Sequence, residues 1–144
     1  MLTIKNTLIT SSFILALTNV VFFGYGFNKI HNVAGSLKSD CRSFLTYNIG
    51  IMSLYAFSLV VFFSYIFCSN CISHILYILN AVALTSMGID RYVRKKTICD
   101  YECQMNCGDL VNLGNKIETF FIVDLSILAL ASLVILIIIG KKIV

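Results

Sequence analysis

Four long segments of the chain are almost entirely apolar, and shorter polar stretches separate them. They are residues 7–27, 44–67, 72–89 and 119–140. Each holds at least about 18 residues, enough for a helix to cross a hydrocarbon layer of about 30 Å. The first three contain no charged residue, and the fourth contains Asp124. The pattern therefore predicts four membrane-spanning helices.

The composition indicates that lipid, rather than water, surrounds most of the chain. Of 144 residues, 58% are hydrophobic and 12% are charged, and the mean hydropathy is +0.89. A water-soluble domain of this size leaves roughly a third of its unfolded surface exposed, so it could not hide this much apolar area. The expected fold is an all-α membrane protein, a four-transmembrane-helix bundle with short loops, in which residues 1–144 form a single membrane domain.

The first apolar segment has a second interpretation, as a secretory signal peptide. Lys5 precedes it, and Gly24-Tyr25-Gly26 has the small-x-small form of a cleavage site. The apolar stretch is longer than the usual core of such peptides. We therefore interpret it as a membrane span.

Charge and cysteine content give opposite predictions for the side of the membrane on which the loops lie. Residues 28–43 and 90–118 share one face, which holds eight basic residues: Lys29, Lys38, Arg42, Arg91, Arg94, Lys95, Lys96 and Lys116. Positive charge favours the cytosol, whereas four cysteines on this face favour an oxidising compartment. We expect lumenal or extracellular loops and cytosolic termini.

The tail contains a candidate targeting signal. Lys141 and Lys142 have the form of a dilysine retrieval signal, which is read from the cytosol. Their other interpretation is snorkelling at a helix end. The expected location is the endoplasmic reticulum or a membrane derived from it, including a viral one, with an organelle inner membrane as the alternative.

Cysteines at four loop positions are disulfide candidates: Cys41, Cys99, Cys103 and Cys107. A bond from Cys41 to the second loop would tie the first pair of helices to the second pair. If residues 99–107 are helical, their spacing places three sulfurs along one stripe. Four cysteines allow three connectivities. A zinc site is the alternative in a reducing compartment, but no metal or other cofactor is expected.

Cys68-Ser69-Asn70-Cys71 is a C-x-x-C sequence at the short turn between the second and third segments. Thiol oxidoreductases use this spacing because the second thiol resolves the mixed disulfide formed by the first. With its four predicted spans, the chain resembles the vitamin K epoxide reductase family in architecture, which implies a membrane thiol–disulfide oxidoreductase. In that family the communicating pairs share one face, whereas Cys68 and Cys71 lie opposite the loop cysteines. Inert thiols and palmitoylation sites are the other interpretations.

Asp124 lies about one and a half turns inside the fourth segment. A charge in hydrocarbon is costly unless it is paired, and the expected partner is Arg91 or Arg94, at the end of the third helix. That pairing would make Asp124 structural. A channel or proton-coupled carrier is the alternative. Its further polar groups, which in the structural interpretation bond between helices, are Asn19, Asn48, His74 and Asn80.

Small residues recur along three segments and favour close helix contacts. They are Gly50, Ser53, Ala81, Ala83, Ser86, Ser126, Ala129 and Ser132. The loop order is similar to that of the tetraspanins, and Cys107-Gly108 is similar to half of their Cys-Cys-Gly motif, with Asn106 in place of the first cysteine.

The leading hypothesis is a non-catalytic structural or assembly component of a membrane complex or of a virion membrane. Small loops and the absence of a complete catalytic sequence motif favour it over an enzyme. Its expected partners are the lipid bilayer and other membrane-protein subunits or further copies of the chain. No nucleic-acid partner is expected, because the basic stretch 91–96 is short and adjoins a span.

Overall fold

The computed structural model describes residues 3–34, 41–68 and 70–143, and this part of the chain is helical, without a β-strand. The helices within it are α1 Ile4–Ala34, α2 Arg42–Phe67, α3 Cys71–Val93, α4 Lys95–Ile98, α5 Tyr101–Asn106 and α6 Gly108–Ile143. Four of them, α1, α2, α3 and α6, are long and apolar enough to cross a membrane. Lys38, one of the predicted basic loop residues, lies outside the described residues.

Two of the long helices continue past their predicted ends. The sequence predicts ends at residues 27 and 89, whereas α1 ends at Ala34 and α3 at Val93. Pairs one helical turn apart support both extensions. The Lys29 ammonium lies 5.7 Å from the centre of the Tyr25 ring, and Arg94 forms an ion pair with Asp90. The end of an apolar segment shows where the helix leaves the hydrocarbon layer. It does not show where the helix ends, because the backbone hydrogen bonds can continue into the polar sequence.

The largest difference from the predicted boundaries is at α6, which begins at Gly108 instead of residue 119. The interval 90–118, predicted as a loop, is mostly helical. One face of the extension is buried through Leu110, Leu113 and Ile117. Their spacing of three and four residues is that of a helix packed on one side. The stripe continues inside the apolar segment at Phe121 and Asp124, so one helix serves both regions.

The four long helices form a closed ring of contacts. α1 packs against α2 and α6, and α3 packs against the same two helices. Aromatic rings fill the space between α1, α2 and α6. Phe22 stacks on Phe120 with ring centres 4.0 Å apart, and Tyr55 lies between Phe22 and Phe121 at 6.3 and 5.5 Å. Offset and edge-on contacts of this kind add to the apolar area that the rings bury.

Candidate functional site

Asp124 is fully buried, and its partner is an amide on another helix. The side chain projects from α6 towards Asn19 of α1, which is also fully buried. With the Asn19 amide oriented so that its nitrogen faces the carboxylate, the nitrogen donates to both Asp124 oxygens, at 2.8 and 2.9 Å. Such a bond holds two helices together where water is excluded.

The predicted pairing of Asp124 with Arg91 or Arg94 is not present in the structure. Arg94 Nε instead lies 2.7 Å from Asp90, one turn away on the same chain segment. The hydrogen bond to this carboxylate raises the pKa of Arg94 above its usual value. Arg91 turns towards Phe44, with the guanidinium carbon 5.9 Å from the ring centre. In the described part of the chain, neither arginine forms an ion pair with Asp124.

Further polar pairs join the helices at other depths. Ser58 of α2 donates a hydrogen bond to Asn80 Oδ1 of α3 at 2.9 Å. The hydroxyls of Ser11 in α1 and Tyr77 in α3 lie 2.8 Å apart. Sequence reasoning identified Asn80 as a polar residue within a span, but Ser11 and Tyr77 were missed because serine and tyrosine are ordinary in such segments. These pairs link helices, as interhelical hydrogen bonds do in lipid.

The four loop cysteines form two pairs at disulfide-bonding distance. Cys41 and Cys107 have Cα atoms 5.8 Å apart, and this pair joins the start of α2 to the start of α6. Cys99 and Cys103 have Cα atoms 5.2 Å apart. The three sulfurs do not share one helix, because residues 99–107 are not a single helix and only Cys103 lies within one, α5. Asp100 caps α5 by accepting from the Cys103 N–H at 2.9 Å.

The zinc alternative is not supported by the same geometry. No group of three or more His, Cys, Asp or Glu side chains comes together as a metal-binding set among residues 3–34, 41–68 and 70–143. The four sulfurs instead meet two by two. Pairing uses the thiols that a tetrahedral zinc site would need as ligands.

Cys68 and Cys71 are free and exposed at the other end of α2. The turn is shaped by Asn70, whose side-chain oxygen accepts from the Ser73 N–H at 2.9 Å and caps α3. The 26 residues of α2 correspond to about 39 Å of helix between this turn and Cys41. This distance excludes direct thiol exchange between Cys68 or Cys71 and the loop cysteines of the same molecule.

A small cavity lies where α3 ends, beside the Cys99–Cys103 pair. Its volume is about 160 Å³, and Arg91 contributes to its wall. The Arg91 side chain is only 3% exposed. A Cβ at Gly114 would lie 2.5 Å from Arg91 Nη2, so the absence of a side chain at Gly114 makes room for the guanidinium. The burial has a sequence signal, because Arg91 follows the buried Leu84 at the seven-residue spacing of one helix face.

Two open grooves flank the C-terminal half of α6. The groove against α1 has a volume of about 710 Å³, and Thr7, Thr10 and Leu130 are among the residues that line it. The groove against α3 has a volume of about 590 Å³. Ala129 and Ser132, whose small side chains predicted a close helix contact, line this second groove instead. The α6 helix is therefore incompletely covered along this half.

The two tail lysines lie in the last turn of α6, and both are exposed. Cations are favoured there because the carbonyl groups at a helix C-terminus carry partial negative charge. This placement is compatible with both interpretations of Lys141 and Lys142. The retrieval signal stays a prediction.

Compared with known proteins, the chain matches no family model, no curated protein and no solved structure.

Proposed function

We propose that the protein is a multi-pass integral membrane protein whose helices α1, α2, α3 and α6 span the bilayer as a four-helix bundle. Apolar side chains on the outer surface of each helix support insertion. More than half of the surface is exposed for Val21, Val60, Ile78 and Leu130, one on each helix. In water such a surface would associate or aggregate, whereas acyl chains cover it at no cost.

We further propose a non-catalytic role as a structural or assembly component of a larger membrane complex. The observation that carries this proposal is the groove between α1 and α6, named here the hydroxyl groove. It is lined on α1 by Thr7, Thr10 and Ser11, and on α6 by Leu130 and Ala131. In lipid, small residues let a second helix approach closely, and hydroxyl groups add hydrogen bonds between helices. A transmembrane helix of another subunit or of a second copy is the occupant that this lining suits.

The interior supports a structural role over transport. Asp124 is enclosed and bonded to Asn19, which is itself fully buried. A proton or cation pathway needs polar groups that exchange partners along its length. Asp124 is also the only charged residue in the four apolar segments 7–27, 44–67, 72–89 and 119–140.

Filling the hydroxyl groove tests the proposal. Thr10→Phe places a ring in the groove, and Val60→Phe places the same ring on an exposed part of α2 that lines none of the grooves described above. In membranes extracted with a mild detergent, the wild type and Val60→Phe are expected to migrate as a complex well above the 16.1 kDa of one chain. Thr10→Phe is expected to migrate at lower mass.

Two results would count against an assembly role. One is a wild-type protein that migrates as a single chain in every mild detergent. The other is a Thr10→Phe variant that keeps the mass of the wild-type complex. Native gel electrophoresis and light scattering after size-exclusion chromatography measure this mass independently.

A further inference from the structure

Arg91 is a buried cation, and no carboxylate of the described residues forms an ion pair with it. Glu118 is close enough to attract it but is itself paired with Lys95. Neither Nε nor Nη1 has a hydrogen-bond partner in the described part of the chain. The basic residues beside it differ, because Arg94 pairs with Asp90 at 2.7 Å and Lys95 pairs with Glu118 at 3.0 Å. Burying a guanidinium with unused N–H groups is unfavourable unless hydrogen-bond acceptors reach it, and an anion forms the strongest such bonds. The arrangement therefore favours an anion from outside the chain.

A small cavity with both polar and apolar walls adjoins Arg91, and it is named here the Arg91 cavity. Its lining includes Phe44, Arg91, Lys95, Cys99, Gln104 and Asn115. Asn115 carries N–H donors in addition to the guanidinium, whereas the Lys95 ammonium donates to Glu118 and the Gln104 amide donates to the Cys99 carbonyl. The volume of about 160 Å³ is well below the roughly 300 Å³ at which sites for drug-sized ligands begin. A compact anionic group fits this size and this donor set.

The Arg91 cavity adjoins a second, apolar cavity. The second cavity has a volume of about 320 Å³ and shares Arg91. Its walls are mostly apolar, with Ile89, Ile122 and Leu125 among them, and Glu118 also lines it. Arg91 lies near the end of the candidate span Cys71–Val93. If α3 crosses the bilayer as proposed above, the guanidinium lies near the headgroup level, where basic pockets between helices bind lipid phosphates.

We propose that the Arg91 cavity binds a phosphate group. The planar guanidinium presents parallel N–H donors that match two phosphate oxygens. Two sources carry this group. One is a phospholipid headgroup, whose acyl chain would occupy the adjoining apolar cavity, and the other is free phosphate.

The test uses the full chain in a neutral detergent and three probes. They are dioctanoyl phosphatidylglycerol, inorganic phosphate and, as a phosphate-free control, dioctanoylglycerol. The wild type is expected to show a saturable rise in melting temperature with at least one phosphate probe and none with dioctanoylglycerol. Binding of the lipid probe alone assigns a headgroup site, whereas equal binding of both phosphate probes assigns a site for the phosphate group itself.

Matched variants locate the site. Arg91→Gln is expected to weaken binding about tenfold or more, the loss expected for one charged hydrogen-bonding partner. Arg94→Gln removes the same charge three residues away and is expected to leave binding unchanged. Gly114→Ala keeps every charge but crowds the guanidinium, so it is also expected to weaken binding.

Absence of binding of both phosphate probes to the wild type overturns the proposal, as does an equal loss in Arg91→Gln and Arg94→Gln. If Arg91→Gln does not reach the helix content of the wild type, Gly114→Ala decides the outcome. These binding measurements are independent of the complex mass measured for Thr10→Phe. Failure of the phosphate proposal is therefore distinguishable from failure of the assembly role.

Discussion

At the scale of single residues, the partner of a buried carboxylate decides what the carboxylate can do. Asp124 accepts from the Asn19 amide and makes no ion pair in the described part of the chain. An amide partner keeps the interaction short and local, since it brings no second charge into the interior. This arrangement favours a role in holding α1 against α6.

Removing the amide should therefore destabilise the protein. Asn19→Leu leaves the Asp124 carboxylate buried without a donor, and we expect a loss of about 1–3 kcal/mol in the free energy of unfolding. The double variant Asn19→Leu/Asp124→Leu replaces both partners by apolar groups and is expected to recover most of this loss. Unfolding in mixed micelles of increasing SDS content measures the difference.

The control is Thr18→Ala, a half-buried neighbour whose hydroxyl donates to the Ile14 carbonyl of its own helix. It is expected to change stability little. Equal losses in the single and double Leu variants would show that Asn19 and Asp124 do not stabilise the protein as a pair.

The sequence identified the important polar residues but not which of them meet. Asp124 and Asn19 are conspicuous because amides and carboxylates are rare in apolar segments. Their pairing depends on how α1 and α6 are rotated and aligned, which the spacing within either helix does not specify. The arginine prediction was wrong because it considered only opposite charges as partners for a carboxylate.

At the scale of helices, one stripe accounts for the difference at α6. The buried positions Leu110, Leu113, Ile117, Phe121 and Asp124 follow the three- and four-residue spacing of a helix across the predicted boundary. Mean hydropathy detects the four long helices because their apolar runs are long. It misses the extension because the other faces of residues 108–118 are polar. Periodicity within the interval 90–118 was the signal available in the sequence.

Truncating a side chain of the extension tests whether that stripe is packed. Leu113→Ala removes a side chain that is 2% exposed, and we expect a loss of about 2–5 kcal/mol, as for other buried leucines. Asn112→Ala, at an exposed position of the same turn, is the matched control and is expected to have little effect. If Leu113→Ala lowered the unfolding free energy no more than Asn112→Ala does, the extension would not be packed as described.

The two cysteine pairs should differ in their contribution to stability because they close loops of different length. Cys41 and Cys107 are 66 positions apart, and Cys99 and Cys103 are 4 apart. The chain-entropy relation gives about 4 kcal/mol for the longer loop and about 2 kcal/mol for the shorter one. We therefore expect Cys41→Ser/Cys107→Ser to lower the unfolding free energy more than Cys99→Ser/Cys103→Ser.

The same micelle titration, performed without reductant, measures this order. Dithiothreitol should lower the stability of the wild type and leave a variant with all four serines unchanged. A reversed order for the two double variants would contradict the loop-length argument, and equal stability with and without dithiothreitol would show that the pairs are not bonded in the isolated protein.

At the scale of the whole molecule, the positions of the cysteines make the orientation predicted from the sequence testable. The two disulfide-distance pairs lie at the end of the helices where α2 begins, and the free thiols Cys68 and Cys71 lie at the end where α2 finishes. An oxidising compartment on the first side places the α2–α3 turn in the cytosol. This proposed orientation opposes the charge rule, which places basic loops in the cytosol.

An impermeant maleimide distinguishes the two orientations. In sealed microsomes with the cytosolic side outward, we expect labelling of Cys68 and Cys71 without reductant and no labelling of Cys68→Ser/Cys71→Ser. The other thiols should react only after the membrane is permeabilised and dithiothreitol is added. Labelling of the double variant in sealed, unreduced microsomes would place the loops in the cytosol.

The link between Cys41 and Cys107 also bears on how the chain can be removed from a membrane. With this bond closed, α2, α3 and the start of α6 belong to one covalent ring, so the polypeptide is no longer a simple thread. A motor that pulls from Lys142 through a pore one strand wide would advance along α6 and stop at Cys107. Clearance of the folded protein would then require reduction of this disulfide first. Without reduction, a fragment ending near Cys107 would accumulate.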